Sequence, residues 1–307
     1  MLGHITDPSA EGGLARRDLP EPEPQEHDVV VEVAAYAVNR GELALLQGRP
    51  DGWMPGQDVA GTVTRAAADG TGPAAGARVV GVADGGGWSE RVAVPSHRVA
   101  LLPAEVSYAQ AASLPVAGLT ALRALRTGGP LLGRRVLVTG ATGGVGTFAV
   151  QLARSAGALV TAHVSGSSRV EQAKALGVTD VITEITDDAG PFDLVLEAIG
   201  GRVLADAVRR LAPGGQVTAF GITSGQRSEI AFFDFAQAAP GGRLEGFFVY
   251  RTGEQTFGED LATLAALVAD GRLLPQLGVV RDWSETVQAV DLLRRRAATG
   301  KVVLTRG

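Results

Sequence analysis

The sequence predicts an α/β protein in which a doubly wound parallel sheet is combined with a second, β-rich domain. Short strand-like segments fill the first third of the 307 residues, strand and helix patterns alternate through the middle, and a glycine-rich turn joins one of those strands to a helix. Repeated β–α units form parallel sheets, whereas closely spaced short strands form compact barrels. The length itself fits about two domains.

The first third carries short apolar runs separated by turn-forming residues. A proline-rich turn, LPEPEPQEHD, precedes the first run, and a glycine cluster at 85–87 precedes the last. Apolar runs of this length, bounded by glycine and proline, are typical of strands. The predicted strands of this barrel are 29–35, 58–64, 78–82 and 88–94.

The middle of the chain changes to a β–α rhythm, which predicts the parallel sheet. An alanine-rich helix is predicted over 107–126, with a break near Pro115. Further strands are predicted at 135–139, 159–164, 180–182, 194–197, 216–220 and 243–250, and further helices at 147–156, 169–176 and 203–211. The tail is predicted to form helices at 259–269 and 284–296 and a strand at 301–305.

Composition excludes several kinds of site and partner. The chain has no cysteine, which excludes disulfides, iron–sulfur clusters and thiolate zinc sites. The formal net charge of −5 gives no overall attraction to nucleic acid, and the basic run at 294–296 is interpreted as cations at a helix C-terminus. No apolar stretch reaches about 18 residues, and Asp7 and Glu11 stand where a signal peptide would be apolar. We therefore expect a cytoplasmic protein that binds neither nucleic acid nor membrane.

The strongest local signal is the segment VLVTGATGGVG at 136–146, which follows a predicted strand and opens a predicted helix. Glycines let the backbone approach a pyrophosphate closely, and a helix N-terminus offers N–H groups and the positive end of its dipole. The glycine spacing departs from G-x-G-x-x-G, and a purely structural turn is the alternative. The predicted cofactor-binding residues of this turn are Gly140, Thr142, Gly143, Gly144, Val145 and Gly146.

The segment after the second strand of this series predicts NADPH rather than NADH. NAD sites place an acidic residue about 20 residues beyond the glycines, where it binds the ribose hydroxyls. Here the chain reads HVSGSSR, and no acidic residue occurs before Glu171. Serine hydroxyls and the guanidinium of Arg169 suit a 2′-phosphate. Alternatively, Ser167 or Ser168 caps the next helix and Arg169 is solvated, and both interpretations can hold together.

Six segments in order carry a family resemblance. They are PGQDVAG at 55–61, GARV at 76–79, AASLPVAGLTA at 111–121, GATGGVG at 140–146, DLVLE at 193–197 and GKVVL at 300–304. Each is weak alone, but together they are specific. Over nearly its whole length the chain resembles the zinc-free branch of the medium-chain dehydrogenase/reductase superfamily, the quinone-oxidoreductase-like proteins.

The resemblance implies two domains and an NADPH site. A GroES-like β-barrel catalytic domain would comprise 1–115 and 258–307, and a Rossmann NADP(H)-binding domain would comprise 116–257. Thr120 would lie beside the nicotinamide carboxamide, Gly143 to Val145 at the pyrophosphate, Ser165 and Arg169 at the 2′-phosphate, Phe220 and Gly221 near the adenosine or ribose, and Phe247, Phe248 and Val249 at the nicotinamide.

The resemblance also implies that no metal is bound. Zinc-containing relatives carry a cysteine ligand where this chain has Asn39, and a histidine where it has Gln57. The four histidines are scattered singly, without the spacing of a ligand set.

Asn39 and Arg40 are the candidate catalytic residues. Asn39 is the only asparagine in the chain and follows a predicted strand. Its amide would hydrogen-bond a substrate carbonyl or the nicotinamide ribose; the alternative is a turn residue with an unusual backbone angle. Arg40 would orient a carbonyl or an anionic substrate; the alternative is a solvent-exposed ion pair with Glu42.

The segment after Asn39 lacks the tyrosine that some enone and enoyl-thioester reductases of this branch carry there. Hydride transfer to a quinone gives a quinolate that water can protonate. Hydride transfer to an enone or enoyl thioester gives an enolate, which is stabilised by an oxyanion donor and protonated by an acid. We therefore predict an NADPH-dependent oxidoreductase that transfers hydride to a quinone or an α,β-unsaturated carbonyl without zinc. The alternatives are a dedicated enone or enoyl reductase of a biosynthetic pathway and a non-catalytic NADPH-binding protein.

The predicted strand at 243–250, RLEGFFVY, is apolar and falls late in the sheet, where an edge strand is expected. A long apolar edge invites pairing with another chain. Together with the resemblance, this predicts a homodimer through the edge. The alternative is that Phe247 and Phe248 line the nicotinamide site or the core.

Overall fold

A computed structural model describes residues 1–236 and 239–306 of the chain. The chain divides into two units, one made of Met1–Leu119 and Gly253–Gly307 and the other of Thr120–Thr252. The first unit is therefore assembled from two stretches that are far apart in sequence, whereas the second is continuous.

The elements alternate between strands and short helices along the chain. The strands are β1 (Leu2–Thr6), β2 (Leu14–Asp18), β3 (Asp28–Val38), β4 (Asp58–Arg65), β5 (Arg78–Val82), β6 (Arg91–Pro95), β7 (Val99–Leu101), β8 (Arg135–Thr139), β9 (Leu159–His163), β10 (Asp180–Ile182), β11 (Phe192–Glu197), β12 (Leu211–Ala219), β13 (Arg243–Gly246), β14 (Leu277–Asp282) and β15 (Lys301–Thr305). The α-helices are α1 (Arg40–Gly48), α2 (Tyr108–Ala112), α3 (Pro115–Arg126), α4 (Gly144–Ser155), α5 (Val170–Ala175), α6 (Gly201–Arg209), α7 (Phe232–Ala236), α8 (Phe257–Ala269) and α9 (Thr286–Arg294).

The first unit contains a sheet in the order β14-β15-β3-β4-β5-β7, and β6 also pairs with β3. β15 pairs antiparallel with β3, which brings the tail of the chain beside a strand from its beginning. The core of this unit is formed largely by valines of β3 to β6, and the Tyr36 ring is stacked on Trp88 with 5.9 Å between centroids. The predicted β-rich domain is confirmed.

The second unit contains a six-stranded sheet in the order β10-β9-β8-β11-β12-β13, and every neighbouring pair is parallel. From β8 the chain moves outward to β9 and β10, and then returns to build β11, β12 and β13 on the other side. This confirms the predicted doubly wound sheet and places its switch point between β8 and β11.

The predicted break in the alanine-rich helix is reproduced, and the basic run lies where the last helix ends, two residues before its predicted end. The break near Pro115 is present, because α2 ends at Ala112 and α3 begins at Pro115, where the missing proline N–H costs no helical hydrogen bond. The basic run at 294–296 lies at the end of α9, and Arg295 pairs with Asp291 at 2.8 Å. No helix among the described residues is long and apolar enough to cross a lipid bilayer.

The predicted strand at 243–250 is wrong in its second half, because β13 ends at Gly246. The Phe247 N–H donates to the Ala219 carbonyl at 2.7 Å. The chain then turns, as the Arg251 N–H donates to the Phe248 carbonyl and the Thr252 N–H to the Val249 carbonyl. Elements that the sequence did not predict are β1, β2, β7, β14, α1 and α7.

Candidate functional site

The glycine-rich turn of the second unit connects the carboxyl end of β8 to α4. Gly140 has a φ of +61°, which favours glycine, and the Gly143 N–H donates to its carbonyl at 2.9 Å. α4 then begins at Gly144. The first N–H groups of a helix have no partner inside it, and they point along the positive end of its dipole. The turn therefore presents the backbone of Gly144 to Gly146 to an anion.

Gly146 lets α4 approach the turn closely. A Cβ atom on Gly146 would lie 2.3 Å from the Gly140 carbonyl oxygen and 2.7 Å from the Ala141 Cα. Real side chains do not tolerate such distances, so only glycine permits this packing. The close approach brings the helix N-terminus onto the turn, which is the arrangement that a dinucleotide pyrophosphate requires.

Arg169 and Thr142, both predicted cofactor-binding residues, are brought together. The Arg169 Nη1 donates to the Thr142 Oγ1 at 3.3 Å, so the guanidinium lies against the glycine-rich turn. Ser165, in the loop after β9, is exposed, and residues 164–170 include no acidic side chain. The donor set therefore fits a phosphate monoester beside the N-terminus of α4, and residues 164–170 lack the carboxylate that would bind the hydroxyls of NADH.

The remaining predicted cofactor residues of the second unit lie along the same sheet edge, apart from Thr120. Thr139 pairs with His163, and Glu197 with Ala219, which in turn pairs with Gly246, so these carboxyl ends form one edge. Phe220 and Gly221 follow β12, and Phe247 follows β13. Phe247 and Val249 are buried, Phe248 and Gly221 are exposed, Phe220 is half-buried, and Thr120 is buried on α3.

Glu197, which the sequence did not single out as a site residue, shapes the loop at the switch point. It is fully buried, and its carboxylate accepts the Ile199 N–H at 2.7 Å, the Gly200 N–H at 3.1 Å and the Thr139 hydroxyl at 3.2 Å. Burial raises the pKa of the Glu197 carboxyl. The sequence did indicate a role for Glu197, because it is the acidic residue that ends the buried segment DLVLE. A charged residue at the end of a buried strand needs hydrogen-bond partners nearby.

Asn39, in the first unit, is held between β3 and α1. It is buried, with ordinary extended backbone angles, so the alternative of an unusual turn conformation is wrong. Its N–H donates to the Glu42 Oε2 at 2.7 Å, and its side-chain Oδ1 accepts from the Lys301 Nζ at 2.6 Å. Within the described part of the chain, the buried Nδ2 has no hydrogen-bond partner.

Lys301 and Asp58 complete this cluster, and the sequence did not predict their involvement. The Lys301 Nζ lies 3.0 Å from the Asp58 Oδ2, and the Asp58 Oδ1 accepts the Val116 N–H at 2.8 Å. Both side chains are almost completely buried. A signal was available, because Lys301 is one of only two lysines in the chain and Lys174 is the other.

Glu42 lies under Asn39 and is fully buried, whereas Arg40 is exposed. Both carboxylate oxygens of Glu42 accept backbone N–H groups, from Asn39 and from Gln57 at 3.0 Å. Burial and the nearby Asp58 carboxylate raise the pKa of Glu42 to about 8. Arg40 is exposed, as the alternative interpretation expected, whereas Glu42 is buried and accepts backbone N–H groups.

Tyr36 is not available as a proton donor to a substrate. Its side chain is fully buried, and its hydroxyl shares a hydrogen bond of 2.5 Å with the Thr286 hydroxyl. Burial raises the pKa of the phenol well above its ordinary value. Among the described residues there is also no group of three or more histidine, aspartate or glutamate side chains that could hold a metal ion.

Comparison with known proteins gives two family models. The model for the GroES-like domain of alcohol dehydrogenases matches residues 25–104, and the model named zinc-binding dehydrogenase matches residues 144–266. The 2-methylene-furan-3-one reductase of Solanum lycopersicum is 31% identical over 306 residues, covering 92% of this chain and 73% of the reductase. The chain belongs to the medium-chain dehydrogenase/reductase superfamily.

Within this superfamily the chain resembles the zinc-free, quinone-oxidoreductase-like proteins. The quinone oxidoreductase from Thermus thermophilus, solved alone and in complex with NADPH, is 31% identical over 99% of this chain and all of that chain, with a TM-score of 0.83. The two units are thus the GroES-like domain and the Rossmann domain of the superfamily.

Polyketide synthases of Streptomyces are also similar. A spectinabilin synthase protein of Streptomyces orinoci is 35% identical over 294 residues, which cover 90% of this chain. The chain spans only 13% of that protein, and 5% and 8% of two further Streptomyces synthases.

Proposed function

We propose that the protein is an NADPH-dependent reductase that transfers hydride to a quinone or an α,β-unsaturated carbonyl without zinc. The observation that carries this proposal is the contact between Arg169 and Thr142 over the glycine-rich turn, beside a loop that lacks an acidic residue. The NADPH complex of the Thermus thermophilus relative supports the same cofactor.

The residues of the chain bind and orient, since the bound cofactor supplies the hydride. Gly143, Gly144 and Val145 hold the pyrophosphate, with Gly140 and Gly146 giving the backbone its close approach. Ser165 and Arg169 hold the 2′-phosphate. Thr120, Phe220, Gly221, Phe247, Phe248 and Val249 line the rest of the cofactor site. Asn39 donates its amide N–H to an oxygen of the substrate carbonyl or the nicotinamide ribose, and Arg40 orients the substrate.

The candidate site favours an acceptor that needs no dedicated protein acid. Tyr36 and Glu42 are both fully buried and engaged by other protein groups. A quinolate is stabilised by its ring and takes its proton from water, so the reaction needs only orientation and polarisation of the carbonyl. The names of the Thermus thermophilus and Solanum lycopersicum relatives fit a quinone and an activated enone respectively.

A second candidate is a dedicated enone or enoyl reductase of a biosynthetic pathway. The 35% identity to a protein of a polyketide synthase system, whose name indicates a biosynthetic role, favours it. The two candidates share the cofactor site and differ in the acceptor.

The test is oxidation of NADPH by the purified chain in the presence of simple quinones, enones and enoyl thioesters, with NADH as the comparison cofactor. We expect turnover with quinones and activated enones, a preference for NADPH, and no loss of rate after treatment with a chelator. Exclusive turnover of enoyl thioesters would support the second candidate. NADPH binding without turnover of any acceptor would contradict both and indicate a non-catalytic binding protein.

A further inference from the structure

A chain of buried polar contacts in the first unit ends at the Asn39 amide. The Asp58 carboxylate accepts from the Val116 N–H at 2.8 Å and from the Lys301 ammonium at 3.0 Å, and the Lys301 ammonium also donates to the Asn39 Oδ1 at 2.6 Å. We propose that Lys301 is a positioning residue, which fixes the Asn39 amide so that its Nδ2 is a polarised donor to an oxygen of the bound substrate or cofactor. This inference rests on the proposed function.

The lysine determines which way the amide faces. The oxygen and nitrogen of an asparagine side chain are similar in shape, so the partners must decide the orientation. An ammonium group has donors and no acceptor. A flipped Asn39 would place its NH₂ group against the Lys301 ammonium, with two donors facing each other in a buried site. Oδ1 must therefore face Lys301, and Nδ2 must face away from it.

The rest of Asn39 is already hydrogen-bonded within the protein. Its N–H donates to Glu42, its backbone carbonyl accepts the Glu42 N–H at 3.1 Å, and its Oδ1 accepts from Lys301. Only Nδ2 has no partner among the described residues, although the side chain is more than nine-tenths buried. A buried donor without an acceptor is destabilising, which makes it a marker of a ligand contact. The matching ligand atom must be a hydrogen-bond acceptor.

The ammonium also strengthens the donor. The Lys301 ammonium beside Oδ1 withdraws electron density from the Asn39 amide. The hydrogen bond that Oδ1 accepts therefore strengthens the one that Nδ2 donates, because hydrogen bonds in series reinforce one another in a buried, low-dielectric setting. Nδ2 is therefore suited to an oxygen on which negative charge develops, such as the carbonyl oxygen of a quinone or enone during hydride transfer. A ribose hydroxyl oxygen of the cofactor is the other possible acceptor. Measurements of NADPH affinity distinguish it from the substrate carbonyl oxygen.

The test compares Lys301→Met with Asn39→Ala and with the double variant. The matched control is Lys174→Met, which removes the only other lysine of the chain, an exposed residue paired with Glu171 at 2.8 Å. We expect Lys301→Met to lower kcat about 10- to 100-fold and Asn39→Ala to lower it at least as much. Because Lys301 acts through Asn39, the double variant is expected to be no slower than Asn39→Ala. Independent roles would instead give multiplied losses, which would overturn the inference.

Binding measurements identify the acceptor. If Nδ2 meets the substrate carbonyl, the NADPH dissociation constant stays within about twofold of wild type in every variant while kcat falls. If it meets the ribose, Asn39→Ala and Lys301→Met raise that constant by similar factors, about tenfold on the scale of one hydrogen bond. Unchanged kcat and unchanged affinity in Lys301→Met would overturn the inference.

Two further variants protect the test against misfolding. Removing Lys301 alone leaves the Asp58 carboxylate buried and unpaired, so Lys301→Met is also made together with Asp58→Asn, which neutralises both groups. Asn39→Asp keeps an oxygen for Lys301 and replaces the donor with a second oxygen; retained activity in this variant would contradict the inference. Wild-type turnover is measured first. Its absence with every acceptor overturns the proposed function, and the inference is then judged on NADPH affinity alone.

Discussion

At the scale of single residues, Glu42 shows how a carboxyl group is accommodated inside the first unit. Both of its oxygens accept backbone N–H groups, while the Asp58 carboxylate and the absence of solvent oppose its negative charge. The balance raises the pKa of Glu42 to about 8 from an ordinary value of 4.5. We therefore expect the folded chain to bind a proton on Glu42 more tightly than the unfolded chain does.

This difference makes stability depend on pH in a defined direction. Between the two pKa values the folded state binds more protons than the unfolded state, so the free energy of unfolding falls as pH rises, by up to about 1.4 kcal/mol per pH unit. We expect the stability advantage of wild type over Glu42→Gln to shrink as pH is raised from about 5 to about 8, and to be constant above that. All three tryptophans lie in the first unit, so their fluorescence during urea unfolding reports on it. An advantage that does not change with pH would contradict the prediction.

Arg169 carries the second prediction at this scale. Its guanidinium lies against the glycine-rich turn through Thr142. We expect Arg169→Ala to weaken NADPH binding by about 1.5–3 kcal/mol, the scale of a hydrogen bond to a charged group, and to leave NADH binding nearly unchanged. Calorimetric titration with both cofactors is the measurement. The control is Arg202→Ala, which removes an exposed arginine paired with Asp206. Equal weakening of both cofactors would refute the assignment to the 2′-phosphate.

At the scale of elements, the contact between α4 and the glycine-rich turn depends on one missing Cβ atom. We expect Gly146→Ala to push α4 away from Gly140, to destabilise the second unit by about 1–3 kcal/mol, and to weaken NADPH binding. Gly246→Ala is the matched control, because a Cβ atom there meets nothing within 4 Å. Thermal unfolding followed by circular dichroism, together with NADPH titration, measures both effects. Equal behaviour of the two variants would show that the close packing is unimportant.

Short-range sequence patterns predicted the strands and helices that have a clear apolar run or a helical period. The β–α units of the second unit were predicted because buried parallel strands are continuous apolar runs followed by helices of helical period. β2 and β14 were missed because their second halves are exposed and charged, as in LARRD and LGVVRD. β13 was predicted too long because the aromatic run FFV resembles a strand, whereas hydrogen bonds after Gly246 turn the chain.

The residues of the candidate site, like the strands and helices, were predicted where a short-range pattern marks them and missed where the contact is long-range. Asn39 and the glycine-rich turn were identified because each lies next to a strand end and has a distinctive residue type. The contact of Lys301 with Asn39 joins residues 262 positions apart, and its contact with Asp58 joins residues 243 apart. No periodicity or short motif records such a pairing, because it arises when β15 enters the sheet beside β3.

At the scale of the whole molecule, β13 is an exposed edge of the Rossmann sheet. The Phe247 N–H points inward to Ala219, and directions alternate along a strand, so the Leu244 N–H points outward. β13 has only four residues, but its outward N–H groups and the exposed Leu244 are available to another chain, so we predict a homodimer through this edge. Leu244→Pro removes an outward donor and is expected to yield monomers by light scattering at micromolar concentration. Leu244→Thr keeps the donor and is the control. A monomeric wild type would contradict the prediction, and a dimer that persists in Leu244→Pro would place the interface elsewhere.

The position of β15 also gives the order of protein synthesis a structural meaning. The Rossmann unit is one continuous segment, Thr120–Thr252, whereas the GroES-like unit needs β15 between β3 and β14. The ribosome therefore releases every strand of the Rossmann sheet before it makes the strand that carries Lys301. Throughout that interval the nascent chain has β3 without β15, and Asn39 without the lysine that orients it. Translation that stops short of Lys301 leaves a protein that has its glycine-rich turn but not its finished polar cluster.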